Sequence, residues 1–153
     1  MLKKPNINFY LKQLSVEEIE RYLVLNDNNL FEKLSARLDI HEYSKKLFDY
    51  ALHFTLYKYD NLVAFSPCYF NKPKKGKAYI SALIVRKSFQ GLGLEKILLE
   101  HIKGYAKYNN FNEIYVSFHC HNIPSIEFYE SNLFVKDAQH ESLCTFKFTP
   151  DNK

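Results

Sequence analysis

Between Ala78 and Leu99 the chain reads AYISALIVRKSFQGLGLEKILL: an apolar run, two closely spaced glycines, then an amphipathic stretch. A buried strand that passes through a glycine turn directly into a helix makes an anion site. The first amides of a helix have no partner within it, and the peptide dipoles place partial positive charge there. Gly91 and Gly93 leave those amides uncovered, so a phosphate can approach the backbone from Gln90 through Leu92 and Leu94 to Glu95. Glycines that only permit a flexible connection would look the same, and the pair alone leaves both readings open. No Gly-Lys-Ser/Thr closes the loop and no third spaced glycine follows, which disfavours triphosphate hydrolysis and dinucleotide-dependent hydride transfer.

Other reactive side chains lie further along. His119 and His121 close an expected strand, and an imidazole there suits proton uptake near neutral pH. His119, nearer the strand, is the preferred general base, although a strand-end histidine serves equally well as a structural residue. Tyr129, after Phe128, is either a core aromatic or a phenol placed to give a proton. Cys120 beside the histidines offers a nucleophile that direct attack would not need. Tyr79 and Ser81 are candidates to line an acceptor pocket. His41, Glu42 and Tyr43 open a helix, where capping by Asp39 accounts for them without any function. Cys68, Cys120 and Cys144 are odd in number and far apart, which supports neither a disulfide framework nor a zinc site, and no metal is expected.

Val85 followed by Gln90-Gly91-Leu92-Gly93-Leu94 and an apolar helix resembles the acyl-coenzyme A loop of the GNAT acetyltransferases. The run from Asn122 through Tyr129 to Phe134 resembles that family's second signature, and one helix and one strand separate the two, as in the family. The resemblance is firm over residues 78–134. It implies acetyl-CoA as acyl donor and a mixed, largely antiparallel α/β sheet flanked by helices, whose splayed central strands receive the cofactor. By the same resemblance the backbone of Leu83, Ile84 and Val85 would hold the pantetheine arm, and the amides of Gln90 to Glu95 the pyrophosphate. Asn122 would contact the cofactor, and Tyr129 would serve the departing thiolate. The implied activity is transfer of acetyl to the primary amine of a small molecule (amino sugar, polyamine or amino acid) or of a protein, by direct attack in a ternary complex. A non-catalytic acyl-CoA-binding module on the same fold is the alternative. Two positions depart from the pattern. Glu95 stands where Gly or Ala is usual and would repel a pyrophosphate unless turned to solvent. Asn132-Leu133-Phe134 must make its turn without glycine.

The elements that position these residues follow from periodicity. A strand is expected over Phe9–Leu14. Ser15 caps a helix with Glu18 completing a capping box, and that helix ends near Asn26 before an Asn/Asp-rich turn. Phe31–Ala51 is helical with uncertain limits. His53–Tyr59 and Leu62–Phe70 make a hairpin, and Ala78–Val85 a strand buried on both faces. Glu95–Tyr108 is a helix, Glu113–Phe118 a strand, Asn122–Ser131 a short helix and Ser142–Phe148 a last strand.

With 153 residues the chain fits one domain, residues 1–153, and its 16% aromatic content supplies the bulk that a core needs. A net charge of +4 suits an anionic ligand. The densest basic stretch, Lys72, Lys74, Lys75 and Lys77, is broken by Pro73 and Gly76 and reads as a solvated turn, so no nucleic-acid partner is expected. The first ten residues, MLKKPNINFY, have no apolar run behind their lysines, so a signal peptide is not expected, and no run is long enough to suggest a membrane span. The expectation is a cytoplasmic enzyme, monomeric or homodimeric, acting on a small amine.

Overall fold

Ser15 starts the first helix as its neighbours dictate. Its hydroxyl accepts the Glu18 amide at 3.1 Å, and the Glu18 carboxylate accepts the Ser15 amide at 2.9 Å. A computed structural model describes residues 6–72 and 76–150, so the middle of the lysine-rich turn lies outside the described residues. The elements are β1 (Ile7–Leu11), α1 (Val16–Asn26), α2 (Ile40–Tyr50), β2 (Leu52–Lys58), β3 (Asn61–Lys72), β4 (Lys77–Ile80) and β5 (Ile84–Val85). They continue as α3 (Leu94–Tyr108), β6 (Glu113–His119), α4 (Ile123–Ser131), β7 (Val135–His140) and β8 (Leu143–Phe148). The expected mixed, mainly antiparallel α/β sheet is present: its order is β1-β2-β3-β4-β6-β8-β7, and only the β4–β6 pair is parallel.

Alternation along the strands assigns the two faces. Ile80, Ile114, Val116 and Phe146 turn toward Leu98, Leu99, Ile102 and Ala106 of α3. Each such fully buried Leu or Ile contributes about 1.5–3 kcal/mol relative to exposure. Phe65 and Ile84 turn the other way, against Ile19 and Leu23 of α1 and Leu47 of α2. No helix covers the continuation of this second face over β4 and β6, where Tyr79 stays 47% exposed and Ser117 is exposed. A groove is therefore left beside α1 and α2.

Four expectations change. The strand expected over Ala78–Val85 is broken: β4 pairs with β3 and β6, whereas β5 pairs with β3 alone, and Ser81-Ala82-Leu83 between them belong to no strand. A run of apolar residues cannot reveal such a break, because both pieces are buried. β7 was not anticipated, since Val135–His140 is exposed throughout and carries no apolar alternation. The region 31–51 is helical only from Ile40, preceded by short 3-10 turns at Asp27–Asn29 and Leu34–Ala36. Cys120 and Cys144 form a disulfide, with Cα atoms 5.2 Å apart, because antiparallel pairing of β6 and β8 brings distant residues together. Sequence separation carries no trace of that.

The glycine-free turn after α4 is made by Leu133, which takes a left-handed φ of 72° while its side chain stays in solvent. The Phe134 amide then bonds the Tyr129 carbonyl at 2.9 Å and closes the helix, and Phe134 is buried beneath it.

Candidate active site

β5 follows β3 and thereby leaves β6, so the sheet opens between Ile84–Val85 and the end of β6. The Ser81 amide donates to Pro67 O and the Arg86 amide to Val63 O, both at 2.9 Å, which ties each end of the departing stretch to β3. The Ser66 hydroxyl holds Ala82 O at 2.6 Å, and the Tyr22 hydroxyl holds Ile84 O at 2.9 Å. A cleft of about 560 Å³ fills the opening, lined on one side by Ser81 to Val85 and on the other by Val116 to His119.

One end of the cleft meets the start of α3. Gly93 is the N-cap at φ 79° and offers no side-chain acceptor, so the first-turn amides remain free for an anion. Gly91 has φ 81°, and a Cβ built on either glycine would meet nothing within 4 Å. These glycines are therefore needed for backbone conformation and for an open approach, not for packing. The uncapped amides, the open space and the splayed strand together fit a pyrophosphate-bearing cofactor with an extended arm.

Of the expected site residues, Leu83, Ile84, Val85, Gln90, Glu95, Asn122, Tyr129 and His119 all line this cleft. Gly91 and Leu92 lie exposed on the loop beyond it, and Leu94 is buried under the helix start. The Gln90 amide group donates to Val85 O at 3.2 Å, occupying one backbone group that the resemblance assigns to the pantetheine arm. A ligand pairing with Val85 O displaces a side chain, a small cost. The Asn122 side-chain oxygen caps α4 by accepting the Ser125 amide at 3.2 Å, which leaves its NH2 to present to a ligand.

Tyr129 is 5% exposed, its ring packed against Phe118, Phe128 and Phe134 at 5.5, 5.0 and 5.1 Å between centroids. Burial above all, with Cys68 and Glu95 adding to it, pushes its phenol well above the usual tyrosine range. Tyr129 is therefore a donor at every physiological pH. His119 Nδ1 accepts the His121 amide at 3.1 Å. In the neutral ring this places the hydrogen on Nε2, and Nδ1 can take up a proton only by giving up that bond. His121 is exposed and does not line the cleft.

Ser81 lines the cleft and pairs with the Tyr43 hydroxyl at 2.5 Å, which brings the α2 start beside the site; burial pushes the Tyr43 phenol up to about 12. Glu42 instead takes part in the α2 start, where Asp39 caps its amide, and His41 pairs with Glu20 at 2.6 Å. Tyr79 stacks on Tyr115 with centroids 5.3 Å apart. Sequence reading missed Phe31, Glu32 and Arg37, which line the cleft from the α1–α2 connection. Their segment lacks periodicity, and only the Asn/Asp-rich turn before it hinted at a loop that could carry function.

Glu95 does not turn away to solvent. It is half-buried and lines the cleft within electrostatic reach of Tyr129. Glu95→Gln is expected to lower the acetyl-CoA dissociation constant about two- to fivefold, the range of a helix-terminus charge effect, in isothermal titration calorimetry at low salt. An unchanged constant would mean that the carboxylate is screened from the anion.

The architecture and cleft fit a cofactor laid along a splayed strand with its anionic end at a helix start. The model of the family described as the Acetyltransferase (GNAT) family matches residues 16–133, and the chain belongs to that family. It has the fold of an N-acetyltransferase of Thermoplasma acidophilum solved in complex with coenzyme A (17% identity, 94% of this chain and 99% of that one, TM-score 0.77). It likewise has the fold of a ribosomal-protein alanine N-acetyltransferase of Escherichia coli (14%, 95% and 94%, TM-score 0.75). A chimeric spermidine N-acetyltransferase from Vibrio cholerae also shares the fold (14%, 94% and 95%, TM-score 0.74). No curated protein matches the sequence significantly. Among the described residues no helix is long and apolar enough to cross a membrane.

Proposed function

We propose that this chain, acting as one catalytic domain, transfers acetyl from acetyl-CoA to the primary amine of a small molecule by direct attack in a ternary complex. The observation that carries this reading is the convergence of three features on one cleft: the opening between β5 and β6, the uncapped start of α3, and the Tyr129 phenol. The cofactor supplies an activated thioester carbonyl. Holding an amine beside it in this cleft makes the transfer nearly intramolecular.

The chain's own groups then divide the work. Backbone amides at the start of α3 anchor the diphosphate, and the edge of β5 aligns the arm. Tyr129 donates a hydrogen bond to the sulfur as the C–S bond breaks. His119 is assigned the proton that the acceptor ammonium must lose before its nitrogen attacks. Tyr129 stabilises the forming thiolate, and the second proton, shed by the nitrogen once the C–N bond has formed, replaces the one given to sulfur, so CoA leaves as the thiol. Cys120 is committed to its disulfide and offers no thiolate for an acyl-enzyme.

Calorimetry with acetyl-CoA and CoA-thiol release on a panel of primary amines test the reading; tight binding without release on any amine would instead support a non-catalytic module. His119→Gln keeps a hydrogen-bonding side chain but no basic nitrogen, and is expected to lower kcat/KM about 10²-fold with acetyl-CoA binding unchanged. Unaltered turnover would return His119 to a structural role.

A further inference from the structure

Between α1 and α2 the chain passes along the cleft with Leu30, Phe31, Glu32, Leu34 and Arg37. A connection without regular secondary structure is ordinarily mobile. This one is held from beneath by Asp27, only 8% exposed, whose Oδ1 accepts the Leu34 amide at 2.6 Å and whose Oδ2 accepts the Ser35 hydroxyl at 2.5 Å. Those bonds, Ser35 first, hold the Asp27 carboxyl below the usual range. Leu34 is buried against the α1–α2 core, and the Phe31 ring lies 5.8 Å from that of His119. The side chains between these anchors are thus presented in fixed positions.

Glu32 is one of those side chains, and Arg37 follows the last anchor by two residues with its amide on Leu34 O at 3.0 Å. They meet each other at 3.3 Å and remain about half exposed, at 49% and 55%. An exposed pair of this kind adds at most about 1 kcal/mol to stability, and a loop already stapled by Asp27 does not depend on it. Its chemistry is more informative. A carboxylate and a guanidinium at ion-pair distance display the charge pattern complementary to an ammonium and a carboxylate joined by a few carbons. Resting on the acetyltransferase reading, we infer that the acceptor is an amino acid, its carboxylate bound by Arg37 and its ammonium drawn in by Glu32.

Binding exchanges one internal ion pair for two intermolecular ones. The internal pair is cheap to open, while a guanidinium binds a carboxylate through two parallel hydrogen bonds. Two of the other amine classes, polyamines and peptide N-termini, fit less well. A polyamine presents several cations, yet among the described residues the only further carboxylate lining the cleft is Glu95 at the start of α3, and Arg37 would repel them. A peptide N-terminus has no carboxylate beside its amine and would leave Arg37 unmatched.

The test is steady-state acetyl transfer to matched acceptors: free amino acids, the same compounds as carboxamides, spermidine, and short peptides. Amino acids are expected to exceed their carboxamides by about tenfold or more in kcat/KM. Arg37→Gln should raise KM for the acid by a similar factor without weakening the carboxamide. It should leave the acetyl-CoA dissociation constant unchanged. Arg37→Lys should restore only part of the loss, since it keeps the charge but not the fork. Preference for spermidine or a peptide, or equal losses on acid and carboxamide, would overturn the inference while leaving acetyl transfer standing. Failure to bind acetyl-CoA would overturn both.

Discussion

Tyr129→Phe is expected to lower kcat about 10²- to 10³-fold while the acetyl-CoA dissociation constant changes by less than about threefold. The substitution removes one hydroxyl and leaves the ring, so the contacts with Phe118, Phe128 and Phe134 persist. A purely structural tyrosine would therefore show unchanged turnover and equal or higher stability. The burial that raises the phenol makes a further signature: its ionisation lies above the pH range of any assay, so Tyr129 should contribute no alkaline limb to the pH profile. A descending limb below about pH 10 that vanishes in Tyr129→Phe would contradict this account. Stopped-flow measurement of CoA release separates loss of chemistry from slow product departure.

Local rules made the helix starts and the hairpin readable. Ser15 and Glu18 are three residues apart, and the capping box they imply is present in full. Tyr59-Asp60 turns β2 into β3 within a residue or two of the expected strand limits. The glycine loop was legible because positive φ and an uncovered amide both require that residue type. What failed were properties set by partners distant in sequence. The break at Ser81-Ala82-Leu83 exists because β6 pairs with β4 and not with β5, a choice that no window around those residues contains. Glu32 and Arg37 gain meaning only from a loop whose anchor, Asp27, looked like one member of an Asn/Asp-rich turn. Glu95 shows the converse case. Its conflict with a phosphate site was visible in sequence, and the fold did not resolve it by pointing the carboxylate away.

Reduction of the Cys120–Cys144 disulfide, or Cys144→Ser, is expected to lower unfolding stability by about 2–4 kcal/mol and to weaken acetyl-CoA binding. The bridge joins positions 24 apart in sequence, and the segment it closes contains Asn122, all of α4 with Tyr129, and β7. Most of the second half of the site is therefore clasped at its two ends. The clasp acts where the ladder is weakest: Cys120 lies just past the last β6–β8 pair, His119 with Leu143, and is otherwise held by its amide on Ser142 O at 2.7 Å. Loosening it frees Asn122 and His119 together, because both are within two residues of Cys120. Urea unfolding with and without dithiothreitol measures the stability change, and the Cys144→Ser protein should be insensitive to the reductant. The remaining thiol, Cys68, is buried, with burial pushing it up to about 12, so it does not confuse the readout. Three titratable thiols in unfolded, unreduced protein would show that the bridge does not form. In a compartment buffered by glutathione a bridge of this kind is usually transient, so a permanent clasp counts against the cytoplasmic setting expected from the sequence.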